Sequence, residues 1–163
     1  MAIAAFMKYS NAADGESKQK GFDKWIEVQG WDWEVEAESS WTKGGGASVG
    51  KPNPGKANFE YYFCTASPII LKFITAGNAF EKVELVMCKT TGKGLEEYFR
   101  MDMGGCYITK VTQNGGEDGN VVQKTEMVFK TVEIKYKMQD DKTGALQAKG
   151  TFKWNIPSGE ASN

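Results

Sequence analysis

The sequence predicts a mainly β domain: an antiparallel β-barrel or two-sheet barrel of about eight or nine strands, with one flanking α-helix at about 67–77. Three observations carry that expectation. Apolar and polar residues alternate through most of the chain, the period of a half-buried strand. Glycine is abundant, at 19 residues, and aromatics make up 12%, a mixture suited to strands joined by many turns. Only one segment has helical caps and periodicity, and no strand–helix–strand rhythm accompanies it. Closing an antiparallel sheet on itself then removes edges that would otherwise aggregate.

Residues 2–9 read as the first strand and residues 10–24 as a polar loop. WIEVQGWDWEVEAES follows. Ile26 and Val28 share one phase, while Trp31, Trp33 and Val35 share the other. A glycine at that change of phase, Gly30, predicts a β-bulge or bend. A Gly-rich segment then runs to about Lys56 and reads as a mobile arm between two strands, since an unstructured stretch of roughly 15 residues is uncommon in a compact domain unless it is functional or disordered.

KANFEYYFC alternates as a strand. SPIILKFITAGN is the helix: Ser67 suits the N-cap, Pro68 the first turn and Gly77 the C-terminal cap. Ile69, Ile70, Leu71, Phe73 and Ile74 sweep an arc of about 200°, wider than the roughly 100° that covers one sheet face. The surplus predicts cover by a loop or by a second chain, with Ile69, Ile70, Phe73 and Ile74 as the subunit-contact candidates.

FEKVELVMCKT is a strand, TGKGL a turn, and EEYFRMDMGGCYITKVTQ two strands broken at Gly104–Gly105. NGGEDGN is a turn or loop. TEMVFKTVEIKYKMQ changes phase near Lys130 or Thr131, which predicts a second bulge. DDKTG turns into a last strand, GTFKWNI. One domain covers 1–156, and 157–163 is expected to fray. A chain of 163 residues can bury roughly 70% of the surface its unfolded form exposes.

Composition removes several function classes. Histidine is absent, which excludes His-based nucleophile activation and His-ligated metal sites. Formal net charge is −1, with no basic stripe for nucleic acid. Cys64, Cys88 and Cys106 are odd in number and widely spaced, against a disulfide framework or zinc ribbon. MAIAAFMKYS lacks the basic start of a signal peptide, and no run is long enough for a membrane span. No cofactor is expected.

Gly45–Lys51 fits the spacing of a phosphate loop. Pro52 stands where that loop needs Ser or Thr, and no helix follows to hold phosphates on its N-terminus. Glu34, Glu36 and Glu38 share one strand face and read as a solvated row, against a catalytic pair. Trp31 and Trp33 could stack on a sugar, which keeps a small-ligand or carbohydrate-binding barrel as the alternative function; core packing is the other reading of the same pair.

The ordered set IEVQGWDW, the Gly-rich arm after Trp41, FEYYFCTASPIILKFITAG, VELVMCK, LEEYFRMDM, FKTVEIKYKMQD and GTFKWNI resembles the haemolysin-coregulated protein (Hcp) family, the inner-tube subunit of the bacterial type VI secretion system. The resemblance implies a two-sheet barrel with a helix at its side. It also implies rings of six subunits that stack into a tube inside a contractile sheath, below a spike protein, with secreted effectors carried in the channel. Such a protein is no enzyme. It waits in the bacterial cytoplasm, leaves without a cleaved signal, and neither enters membranes nor binds nucleic acid. The arm would be its ring-stacking loop, with Gly44, Gly45, Gly46, Ser48, Lys51, Asn53 and Lys56 as the contact residues.

Overall fold

The computed structural model describes residues 3–10, 13–42 and 46–163. Eleven strands and one helix appear among them: β1 (Ile3–Tyr9), β2 (Ile26–Asp32), β3 (Val35–Thr42), β4 (Gly46–Pro54), β5 (Ala57–Tyr62), α1 (Ser67–Ala76), β6 (Phe80–Thr91), β7 (Gly94–Gly115), β8 (Val121–Val128), β9 (Thr131–Gln139), β10 (Leu146–Asn155) and β11 (Glu160–Ser162). The strands β7, β6, β1, β2, β5 and β8 pair in that order, and β8 returns to β7, closing a six-stranded barrel. Beyond the barrel, β9, β10 and β11 extend from β7 as a side sheet, while β3 and β4, among the described residues, pair only with each other.

Closure depends on one long strand. β7 runs for 22 residues. One of its sides pairs with β6; along the other, residues 99–104 meet β9 and residues 107–115 meet β8. The expected break at Gly104–Gly105 is therefore a bend within a continuous strand. Gly105 takes the left-handed conformation, φ +62°, which glycine adopts without a Cβ clash. The real interruption lies opposite it, where Phe129 and Lys130 separate β8 from β9 and the Lys130 N–H donates to the Gly104 carbonyl at 2.9 Å. The expected phase change is present there, but as a gap between two strands in place of a bulge within one. The bulge expected at Gly30 is found: the β2–β5 register shifts between Val28 and Gly30.

The barrel interior is filled by alternate residues of its strands, among them Met7, Val28, Phe59, Leu85, Met101 and Met127. A second, smaller cluster sits on the outside of the wall. Phe6, Val86 and Cys88 are covered there by Phe22 and Trp25 of the segment before β2, and Phe22 stacks on Phe6 at 4.7 Å.

Helix α1 begins at Ser67 with Ala66 in the capping position. Ser67 is thus not the N-cap; its hydroxyl accepts instead from the Cys64 N–H at 3.0 Å. At the other end Gly77 has φ +69°. Its N–H reaches the Ile74 carbonyl, and the Asn78 N–H reaches that of Phe73, the paired bonds of a Schellman stop. The C-terminal tail also differs from expectation. Residues 160–162 pair with β10, Trp154 opposite Ala161, so this part of 157–163 is a short edge strand and is not frayed.

Candidate functional site

The Gly-rich arm is a β-hairpin over its described residues. Val35 pairs with Pro54, Ala37 with Pro52, and Thr42 with Gly46, with a register shift between Ala37 and Ser39. This corrects the mobile-arm expectation, and its physical reason is the direction in which the prolines face. The Gly55 N–H donates to the Glu34 carbonyl at 2.7 Å, so Asn53 and Glu36, two residues along, also face each other. Pro52 and Pro54 then turn their nitrogens outward, where a missing N–H costs the ladder nothing. The hairpin root is tied by Trp33, whose indole N–H donates to the Gly55 carbonyl at 3.1 Å.

Of the predicted stacking residues, Gly44 and Gly45 lie outside the described residues. Gly46 opens β4, and Ser48, Lys51 and Asn53 lie along it. Lys51 and Asn53 are exposed. Lys56 follows the hairpin and lies 3.7 Å from Glu126 on the barrel wall. No helix follows Lys51, so the phosphate-loop spacing has no phosphate-loop structure behind it. Glu34, Glu36 and Glu38 are all exposed.

The helix candidates divide. Ile70 is fully buried within the chain's own core, so it is unavailable to a partner surface. Ile69, Phe73 and Ile74 are half-buried against that core, and Phe73 stacks on Phe80 with ring centroids 4.0 Å apart. Trp31 and Trp33 also pack inward. Trp31 stacks on Phe99 at 5.3 Å, and its N–H points to the Met87 sulfur at 3.3 Å. Trp33 lies 5.5 Å from Phe129.

A cluster that the sequence did not reveal sits on the outer face where β6 and β7 pair. The Arg100 guanidinium contacts three carboxylates: Asp102 at 3.1 Å, Glu97 at 3.1 Å, and Glu84. Burial would lower the Arg100 pKa, but these charges outweigh it and raise it. Glu84 lies opposite Asp102 across the strands, a register that no local pattern encodes. Inside the barrel, the Gln123 amide donates to the Tyr61 hydroxyl at 2.9 Å, and burial pushes the Tyr61 phenol up to about 12. Burial likewise raises the Cys106 thiol to about 12 and the Cys88 thiol to about 11. Among the described residues no group of three or more Cys, Asp or Glu is arranged to hold a metal ion, and no helix is long and apolar enough to cross a membrane.

The side sheet is two-faced. Ile134, Tyr136 and Met138 of β9 alternate with Glu133, Lys135 and Lys137. On β10, Phe152 lies opposite Ile134, and Lys153 lies opposite Glu133. Tyr136 and Met138 are 44% and 45% exposed.

The fold is that of a closed antiparallel β-barrel that carries a side sheet and a separate hairpin. The family model described as "Type VI secretion system effector, Hcp" matches residues 6–137. A solved type six secretion system protein superposes with a TM-score of 0.90 at 22% identity, over 99% of this chain and 100% of the other. Hcp1 from Salmonella typhimurium gives 0.79 at 26% identity, covering 99% and 100%. Hcp2 from the same organism gives 0.70 at 23%, covering 96% and 98%. No curated protein sequence matches. The chain belongs to the Hcp family of the type VI secretion system.

Proposed function

We propose that this protein is a structural subunit of the type VI secretion tube. Six copies close into a ring, rings stack, and the assembled tube is exported. The observation that carries this reading is a pair of surfaces without a strand neighbour among the described residues, the flanks of the β3–β4 hairpin and the outer edge of β10 before residue 153, in a chain that belongs to the Hcp family. A ring needs two different complementary patches on each subunit. An isolated two-stranded ribbon is marginal in water, which favours a hairpin that completes itself on another chain.

On this reading the protein works by packing against copies of itself and transforms no substrate. Effectors ride in the channel, and the spike protein and contractile sheath are its partners outside the ring. It moves from the bacterial cytoplasm to the exterior with the tube. Electron microscopy of the purified protein tests the proposal: sixfold rings and stacks are expected. A clean monomer at high concentration overturns it.

A further inference from the structure

Among the described residues one methionine differs from the others. Met7, Met101, Met103 and Met127 are fully buried, and their thioethers fill the apolar interior. Met138 is exposed on the side sheet. Met87 is half-buried, and its sulfur meets two hydrogen-bond donors. The Trp31 indole N–H points to it at 3.3 Å and the Tyr98 hydroxyl at 3.9 Å. Tyr98 comes from β7, on one side of β6; Trp31 comes from β2, on the other side, beyond β1.

Each donor is held in place. Trp31 stacks on Phe99 at 5.3 Å. Phe99 lies opposite Met87 in the β6–β7 ladder, and Glu97 lies opposite Cys88. Tyr98 is thus the extra residue of a bulge, an irregularity that re-aims a side chain. The Lys89 ammonium sits 4.7 Å over the Tyr98 ring and steadies it. A thioether sulfur is a weak acceptor with two lone pairs, and the Trp31 N–H engages one of them at a distance that admits no atom between nitrogen and sulfur. The Tyr98 contact is longer. An oxygen placed on the sulfur there would turn a weak contact into an O–H···O bond. Oxidation of a methionine ordinarily harms a packed site, because an apolar group becomes polar; at Met87 the new oxygen meets a donor already aimed at it.

We propose that Met87 is a modification site for hydrogen peroxide, and that its sulfoxide forms as a single epimer whose oxygen accepts from the Tyr98 hydroxyl. The lone pair of sulfur that Trp31 leaves free attacks one oxygen of the peroxide. The S–O bond forms as the O–O bond breaks, the proton on the transferred oxygen passes to the departing one, and water leaves. Sulfur is oxidised by two electrons and the peroxide is reduced by two. The two lone pairs lead to opposite epimers, so the Trp31 N–H sets the handedness of the product. Each epimer is reduced by its own methionine sulfoxide reductase, so the change at Met87 is reversed by one of these enzymes and not by the other. The site lies within one chain and is independent of the tube-subunit reading.

Limited treatment of the full chain with hydrogen peroxide, followed by quenching, tryptic digestion and mass spectrometry, tests it. Met87 and Met138 fall in separate peptides, 83–89 and 138–142. Oxidation is expected at both, while Met7, Met101, Met103 and Met127 stay reduced. The digest is then given to each of the two reductases separately. The exposed Met138 is expected to be repaired by both to within about twofold, and Met87 about tenfold more by one than by the other. W31F keeps a ring against Phe99 but removes the N–H, and is expected to make the Met87 epimers even. In Y98F oxidation is expected to lower Tm, whereas in the wild type it leaves Tm within about 2 °C. A Met87 that stays reduced while Met138 is oxidised, an even mixture at Met87 in the wild type, or a W31F product as one-sided as the wild type's overturns the proposal. A Y98F chain that responds to oxidation as the wild type does overturns the part given to Tyr98.

Discussion

Replacing Phe80 by alanine should unlock the helix from the barrel. Phe80 is 1% exposed. Its ring lies 4.0 Å from Phe73, nearly parallel, and 4.6 Å from Tyr9, so it links α1 to the interior of β1. Truncating a buried phenylalanine costs about 3–5 kcal/mol, transfer and cavity together. For a domain of this size, each kcal/mol lowers Tm by about 2–4 °C, so a fall of about 6–20 °C is expected. Thermal unfolding followed by circular dichroism reads this directly. Both proteins must be compared at equal concentration, because self-association raises apparent stability by mass action. Phe63→Ala is the control: Phe63 is 41% exposed, and its loss should stay within about 0.5 kcal/mol. A Phe80→Ala loss below about 1 kcal/mol would refute the packing of α1 described above.

Arg100→Met leaves Glu84, Glu97 and Asp102 facing one another without their cation. A loss of about 1–3 kcal/mol is expected, discounted because all four side chains keep some solvent contact; urea titration should show the gap narrowing in 1 M salt, where surface charges are screened. The buried phenol and thiols set an alkaline limit. Burial raises the pKa of Tyr61, Cys88 and Cys106, so the native state holds protons that the unfolded chain releases at about 8.5 for Cys and 10 for Tyr. Stability from these groups is intact below about pH 8.5 and is lost as pH climbs toward about 12; a urea midpoint that stays flat up to pH 11 would contradict their burial. Deleting residues 44–50 should leave the barrel's Tm within about 4 °C while weakening association; equal loss of both would show that the hairpin belongs to the core.

Most strands were legible because alternation over a barrel wall is a local signal, and Gly30 marked its bulge in the same way. The helix was legible from Pro68 and Gly77, although Ser67 was drawn inward to the Cys64 N–H and does not cap. Pairing is not local. Nothing in the sequence says that Glu84 lies opposite Asp102, so the Arg100 cluster was invisible. The hairpin was misread because Pro52, Pro54 and several glycines argue against a strand, and only the outward direction of the proline nitrogens reconciles them with a ladder. Ile70 was misassigned because an apolar arc records how much of a helix is covered, without recording by which chain.

The unbroken course of β7 has a mechanical consequence. The strand belongs to the barrel wall and to the side sheet at once, so a load applied to β9 or β10 passes along covalent backbone into the barrel. That load is resisted by rows of hydrogen bonds loaded in shear. No hinge separates the two regions at Gly105; the chain turns a corner there without a joint, and the side sheet is braced like a buttress, with no swivel.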